Sequence, residues 1–323
     1  MRLRLQRHHN IALIAAAAAA LPFLLPGGYA VHLATVTGIN TIVVLGLNLL
    51  MGYAGQVSLG QAAFVGIGAY ASGVLTVKVG LSPWVAMAAG VGLTAVTGLI
   101  VGIPLLKLRG HYLAMGTLGF GMIVNIVLIQ WEQLTEGTIG IMSIPPLALA
   151  GFKLKSELSM YYLVALSVIL SMVLAANIID SRVGRAMRAV HGSEVAAETS
   201  GVDTARYKLQ VFVLSAAMAG YAGSLYAHHA TYIHPGSFGF HQSIQLVVMA
   251  VIGGMASIWG AVLGASAVTL IAENLRSFQE FSTIIFGLVL MVIMVFLPAG
   301  LVRGTADAWR RLRARRAPGA EEA

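Results

Sequence analysis

Long apolar runs without charge alternate along the chain with short polar breaks. Between Arg7 and Lys78 lie 70 residues without Asp, Glu, Lys or Arg. A helix crossing the hydrocarbon of a bilayer needs about 20 mostly apolar residues, so this run has room for three crossings, with breaks at Pro26-Gly27-Gly28 and from Gly52 to Gln56. Runs 79–106, 110–131 and 158–179, of 28, 22 and 22 residues, supply one crossing each. The 16-residue run 137–152 is too short and contains Pro145-Pro146, which removes helix donors and disfavours helix before it, so it reads as loop. Residues 209–272 give 64 uncharged positions, space for three segments broken at 228–241 and at Gly253-Gly254. The two segments between 243 and 272 are short enough to be half-helices. Run 281–302 is the last span. The pattern predicts an all-α, polytopic transmembrane helix bundle of about ten membrane segments.

Cytoplasmic loops carry an excess of Lys and Arg. With the N-terminus inside, the inner segments hold Arg2, Arg4, Arg7, Lys107, Arg109, Arg182, Arg185, Arg188, Arg206, Lys208 and the six arginines from Arg303 onward, which is 16 of the 20 basic residues. Only Lys78, Lys153, Lys155 and Arg276 fall outside. Both termini are therefore expected in the cytoplasm. The first span has the basic start and small residues of a signal peptide, but the alternation is consistent with its retention as an anchor. Ten spans would make residues 11–131 and 161–297 two five-segment halves of opposite orientation, an arrangement many transporters use. No residue-level repeat accompanies that division.

Composition agrees: 58% of the residues are hydrophobic and 10% charged, against about 25% charged in a soluble domain. The net charge of +8 sits at the termini and in a few loops, where membrane orientation explains it without nucleic acid. The absence of cysteine removes disulfides, thiolate metal sites and cysteine nucleophiles together.

Intramembrane catalysis or proton coupling places ionisable groups inside spans, and none of the ten segments carries Asp, Glu, Lys or Arg in its interior. No HExxH, GxSxG or GxxxxGK[ST] pattern occurs. Gly66-Ile67-Gly68-Ala69-Tyr70-Ala71 matches GxGxxA formally, but it lacks the preceding strand and the later acid of a dinucleotide site. Gly66, Gly98, Gly102, Gly253, Gly254, Gly260 and Gly264 read instead as small-residue faces for close helix packing. His228, His229, His234 and His241 lie in a Gly- and Pro-containing stretch with no nearby Asp, Glu or Cys, so no metal and no cofactor is expected.

Gln56, Ser58 and Gln61 bring uncharged hydrogen-bonding groups to a Gly-rich segment, and Asn40, Asn48, Asn125 and Gln130 extend the set. Polar groups at membrane depth are tolerated where they line a water-filled path or pair with other helices. Both a pathway role and interhelical hydrogen bonds worth ~1 kcal/mol each fit these seven residues. The long inner loop 180–208 contains one short helix candidate from Ser193 to Ser200, with Ser193 to cap it and Gly201 to stop it. Ala196 and Ala197 would give it a smooth face.

The stretches GLNLLMGYAGQVSLGQAAFVGIGAYASG (46–73), GRAMRAVHGSEVAAETSGVD (184–203), AGYAGSLYAHH (219–229) and VIGGMASIWGAVLGA (251–265) resemble permease subunits of branched-chain amino acid ABC importers, of the LivM type. The likeness runs over about 35–300. It implies one permease domain over 1–323, a coupling loop at 180–208 and a basic cytoplasmic tail at 303–323, blandly read as touching membrane lipid. It also implies a bacterial inner-membrane importer for leucine, isoleucine and valine, with a LivH-type second permease, two cytoplasmic ABC ATPases that hydrolyse the ATP, and a periplasmic substrate-binding protein. Arg185, Arg188, Glu194, Ala196, Ala197 and Gly201 would then dock into an ATPase groove. The family's EAA signature stands here as Val195-Ala196-Ala197, with the acid one position early at Glu194 and Gly201 in register. Urea, short amides or aromatic acids are alternative cargoes within the family. A stand-alone secondary carrier or facilitator is the alternative of a different class.

Overall fold

The structure, a computed structural model, describes residues 27–149, 152–153 and 156–275, with a few isolated positions elsewhere. The expected first span, the last span 281–302 and the tail 303–323 lie outside the described residues or touch them only at those positions. Apart from one hairpin of two-residue strands, β1 (Ala148–Leu149) and β2 (Phe152–Lys153), the described fold is helical. Helix α1 (Gly28–Asn48) runs on through a π turn, Leu49–Tyr53. After it come α2 (Gln61–Val77), α3 (Pro83–Leu105), α4 (His111–Gln130), the single turn α5 (Glu132–Thr135) and α6 (Glu157–Asp180). Two short helices, α7 (Arg182–Gly192) and α8 (Glu194–Thr199), precede α9 (Thr204–Ala230). A 3-10 turn at Pro235–Phe238 leads into α10 (Phe240–Gly253), and α11 (Ile258–Leu275) closes the described region.

Seven of these stretches are long and apolar enough to cross a membrane: α1 with its π turn, α3, α4, α6, α9, α10 with its 3-10 turn, and α11. Helix α2 is apolar, but its 17 residues reach only roughly 26 Å. It starts late because Gly55, with φ 69°, and residues 56–60 break the chain after the π turn.

The packing is crossed between the two parts of the chain. Helix α9 lies against the hairpin α2–α3, whereas α1 lies against α6 and the hairpin α10–α11, and α1 and α9 touch each other between them. Backbone approaches closely where side chains vanish. A methyl group added at Gly68 would stand 2.2 Å from the Gly220 carbonyl oxygen, and one at Gly223 would stand 2.0 Å from that of Val65. The α10–α11 hairpin closes in the same way, since a Cβ on Gly264 would sit 1.9 Å from the Met249 carbonyl oxygen and one on Gly253 would sit 1.8 Å from that of Gly260. Large side chains fill the remainder of the core, among them Phe64, Phe212, Ile42, Leu45 and Leu47. Leu93, Leu99 and Ile103 of α3, Met122 and Ile126 of α4, and Leu166 and Leu170 of α6 point outward. That apolar exterior suits lipid or a neighbouring helix rather than water.

Local structure departs from the sequence reading in two places. Loop 180–208 holds two helices rather than one. Ser181 caps α7, its Oγ accepting from the backbone of Val183 and Gly184. Gly184, Ala186, Met187 and Val190 then face inward while Arg182, Arg185 and Arg188 face out. His228 and His229 belong to the last turn of α9, not to a loop. Residues 137–147 are indeed irregular, but they are pinned to the chain after α9 by the bridge between Ile141 and Ile233.

Candidate functional site

Two breaks in the chain enter the bundle from opposite ends. The Leu59 N–H donates to Thr117 Oγ1 at 3.0 Å, and Asn125 Nδ2 donates to the Pro235 carbonyl at 2.8 Å. Thr117 and Asn125 are both interior residues of α4, about 12 Å apart along its axis. Helix α2 therefore begins inside the protein at the buried Gln61, whereas α10 begins at the exposed Phe240, and their first turns meet at the buried Ser243, whose Oγ accepts from the Ala62 N–H at 3.1 Å. Gln61 Nε2 donates to the carbonyl and the hydroxyl of Ser215, both at 3.0 Å, tying this point to α9. The N-terminus of a helix carries free N–H groups and partial positive charge. Two such ends side by side within an apolar bundle favour an anionic or strongly dipolar guest.

Beside this point lies a cavity of about 450 Å3, lined by Tyr29, His32, Asn40 and Val43 of α1, by Gln242, Gln245 and Met249 of α10, and by Thr269 and Glu273 of α11. Its size falls in the range of small-molecule sites. Its lining is mixed: amide and hydroxyl groups, the His32 imidazole and the Glu273 carboxylate stand beside aliphatic side chains. Asn40 contributes Nδ2, 3.4 Å from Thr269 Oγ1.

The seven polar residues singled out in the sequence occupy four kinds of position. Asn40 lines the large cavity. Asn48, Gln61 and Asn125 make hydrogen bonds between elements, Asn48 to the backbone of Ala256 and Ser257 at 2.7 Å each. Gln56 and Ser58 are buried, and neither side chain has a hydrogen-bond partner among the described residues. Gln130 is exposed at the end of α4. A buried polar group without a partner costs about 1–3 kcal/mol, so the break at 56–58 carries a desolvation penalty that no contact among the described residues relieves. Gln56 also lines a second, smaller cavity of about 110 Å3 with Arg109, His191, Glu194 and Lys208.

That second cavity adjoins the short helices. The Ser193 Oγ accepts from the Ala196 N–H at 3.3 Å at the start of α8, and Gly201, with φ 81°, follows its end. Glu194 accepts a hydrogen bond from Lys208 of α9, and its other oxygen lies 3.8 Å from Arg109 Nε in the α3–α4 turn. Lys208 is only 9% exposed, so this pair is largely withdrawn from water. Ala197 is buried within the chain, whereas Val195 and Ala196 are exposed. Arg185, Arg188 and Gly201 are exposed as well. The surface open to a partner is therefore Val195, Ala196 and the flanking arginines, while Ala197 and Glu194 hold α8 to its own chain.

Among the glycines read as packing faces, Gly98 meets Ala216 and Gly102 meets Leu209 and Phe212 on α9, while Gly66 meets the Phe238 ring of the 3-10 turn. Gly254, with φ 108°, turns the chain between α10 and α11. Gly68, within the stretch Gly66 to Ala71 read as a small-residue face, lies against Gly220 of α9; sequence reading missed Gly220 and Gly223, which complete the α2–α9 contact. Their signal was available in the small residues of AGYAGS beside those of GIGAYASG. It also missed His228, whose Nδ1 and Nε2 lie 2.8 Å from the Pro145 carbonyl oxygen and from Ser72 Oγ. The carbonyl can only accept, so Nδ1 carries the proton and Nε2 accepts from the Ser72 hydroxyl.

The chain is 35% identical over 308 residues to the high-affinity branched-chain amino acid transport system permease protein LivM of Escherichia coli, covering 88% of this chain and 72% of that protein. It is 34% identical, with the same coverage, to the LivM protein of Salmonella typhimurium. A shorter likeness, 34% identity over 125 residues, relates it to LivH of Escherichia coli, with 38% of this chain and 40% of that protein covered. No solved structure is a significant match. The family described as branched-chain amino acid transport system / permease component matches residues 29–298, and the chain belongs to that family.

Proposed function

We propose that the chain is the membrane-spanning permease subunit of a binding-protein-dependent ABC importer that carries leucine, isoleucine and valine across a bacterial inner membrane. Its two termini face the cytoplasm and ten segments cross or enter the bilayer, with the terminal spans completing the seven long helices and α2. A LivH-type permease pairs with it, two ABC ATPases hydrolyse ATP on the cytoplasmic side, and a periplasmic protein delivers the amino acid. The crossed packing of α9 on α2–α3 and of α1 on α10–α11 fits two halves of opposite orientation.

The observation that carries this reading is the meeting of two helix starts inside the bundle, at Ala62 and Ser243, beside a cavity of mixed lining. A branched-chain amino acid has a carboxylate and an aliphatic side chain. The partial positive charge at the starts of α2 and α10 suits the carboxylate, and Ile39, Val43, Leu246 and Met249 suit the side chain. The first turns of α2 and α10 carry no Asp, Glu, Lys or Arg, and the one carboxylate in the cavity lining, Glu273, accepts a hydrogen bond from Tyr29. Gln56 and Ser58, buried and unpartnered, are the groups that a passing ammonium or carboxylate would satisfy on its way to the smaller cavity.

Force enters at α8. An ATPase groove grips Val195, Ala196, Arg185 and Arg188, and the Glu194 link to Lys208 and Arg109 passes the displacement to α9 and to the α3–α4 turn. Because α9 meets α2 backbone to backbone at Gly68 and Gly223, the two helices move as one body and shift the break at 56–60. Binding and ATP hydrolysis thereby bias two arrangements of the bundle.

The test is reconstitution. Leucine uptake in proteoliposomes is expected only with both permeases, the ATPases, ATP and the loaded binding protein. Uphill transport by this chain alone would replace the reading with a secondary carrier. Uptake of urea, amides or aromatic acids in place of leucine by the complete system would keep the importer and change its cargo.

A further inference from the structure

Neighbouring histidines at the end of α9 differ in one respect. His228 is held on both ring nitrogens, whereas Nε2 of His229 is buried with no hydrogen-bond partner among the described residues. The His229 ring stacks on that of His32 from α1, with centroids 4.7 Å apart and planes at 28°. His32 Nδ1 lies 3.6 Å from Oε2 of Glu157, the first residue of α6. One ligand atom from each of His32, Glu157 and His229 lies within 4.8 Å of the other two. The sequence offered no such cluster, because Glu157 and His32 are remote in the chain from the histidines of 228–241.

We propose that His32, Glu157 and His229 form a binding site for a divalent transition-metal ion of zinc's class, and that its occupancy clamps α1, α6 and α9 together. Two imidazoles and one carboxylate are a donor set that zinc accepts, with a fourth position left open. Calcium and magnesium prefer an all-oxygen shell. Tetrahedral bonds of ~2.0–2.2 Å hold ligand atoms roughly 3.3–3.6 Å apart. The His32–Glu157 pair already stands at that separation, and the widest pair closes by about an ångström through side-chain rotation. The unpartnered His229 nitrogen is the feature that a metal would satisfy. A cavity of about 330 Å3, lined by Ser156, Glu157, Met160, His228 and His229, leaves room for a water in the fourth position. Helices α1, α6 and α9 are three separate spans, so the bound ion ties together elements that must shift against one another in transport. This last step rests on the permease reading, whereas the metal site does not.

The experiment uses the full chain in detergent and zinc chloride alone, followed by calorimetry and zinc K-edge absorption. One ion per chain at micromolar concentrations, a first shell of nitrogen and oxygen, and a raised unfolding temperature are expected. His229→Ala and Glu157→Gln should each weaken binding by more than the about 10- to 100-fold that losing an outer hydrogen-bond partner of a ligand produces. Glu157 is exposed, so its variant keeps the metal-free unfolding temperature and serves where His229→Ala fails to fold. Unchanged zinc affinity in both variants, or no binding by the parent chain at 100-fold excess zinc, would overturn the site. In proteoliposomes of the complete system, zinc should inhibit uptake by the parent and spare Glu157→Gln. Inhibition in both alike would overturn the clamp. Zinc binding by a chain that supports no amino-acid uptake at all would count against the permease reading and leave the metal site standing.

Discussion

Asn48 holds Ala256 in the left-handed conformation: its side-chain oxygen accepts from the Ala256 N–H at 2.7 Å, and Ala256 has φ 58°. The amide nitrogen of Asn48 donates to the next carbonyl, Ser257, also at 2.7 Å, and Tyr53 donates to the Ala256 carbonyl at 2.8 Å. The end of α1 thus supplies the hydrogen bonds that the turn between α10 and α11 cannot make for itself. Asn48→Leu is expected to lower stability by about 1–3 kcal/mol, since two partly buried backbone groups lose their partners. Ala256→Gly relieves the strain of positive φ and is expected to be neutral or stabilising by up to ~1 kcal/mol. Thermal unfolding in detergent measures both.

Glu194 and Lys208 form a pair that is largely shielded from water. Removing one member leaves a charge stranded, at a cost of about 3–5 kcal/mol in a fully buried pair and less here because Glu194 is partly exposed. Glu194→Gln should therefore destabilise the chain more than the double variant Glu194→Gln, Lys208→Met. A double-mutant cycle on unfolding free energy checks this, and a double-variant loss equal to the sum of the two single losses would show that the pair is not coupled.

Ala196 and Ala197 separate docking from folding. An arginine at the exposed Ala196 should leave the amount of folded permease in the membrane unchanged and abolish uptake. The same change at the buried Ala197 should lower the amount of folded protein itself. Membrane abundance and leucine uptake are read together, and full uptake by Ala196→Arg would remove the proposed contact with the ATPase.

The glycines give a graded test. Gly223→Ala and Gly264→Ala drive a methyl group to within 2.0 Å of a carbonyl oxygen on the facing helix, so each is expected to cost about 1–3 kcal/mol or more. Gly119 on α4 faces open space, and Gly119→Ala is expected to be neutral or to stabilise by up to ~1 kcal/mol through helix propensity. Comparable losses at all three sites would mean that backbone contact is not what these positions provide.

Gln56 and Ser58 reverse the usual pattern for buried polar side chains. With no partner among the described residues to lose, Gln56→Leu and Ser58→Ala are expected to leave stability within about 0.5 kcal/mol or raise it, while leucine uptake by the complete system falls. Loss of stability without loss of uptake would assign both residues to packing.

The apolar runs, their lengths and their flanking charges were enough to determined a helical membrane protein, because lipid forces each span to satisfy its own backbone and therefore to be written as about 20 contiguous apolar residues. The cap Ser193 and the stop Gly201 placed α8 for a similar reason: helix ends are satisfied by residues a few positions away. Which face each residue turns, and to what, was decided only in three dimensions. Helix α8, at six residues, is too short for a periodic face to be read, so nothing local separated the buried Ala197 from the exposed Ala196. Nor could local sequence set Asn48 of α1 against the turn at Ala256, or Glu194 against Lys208 and Arg109. The meeting of His32, Glu157 and His229 has the same origin: the three residues lie on three spans, and only the packing of those spans, governed by glycines that let backbones touch, brings them within reach of one another.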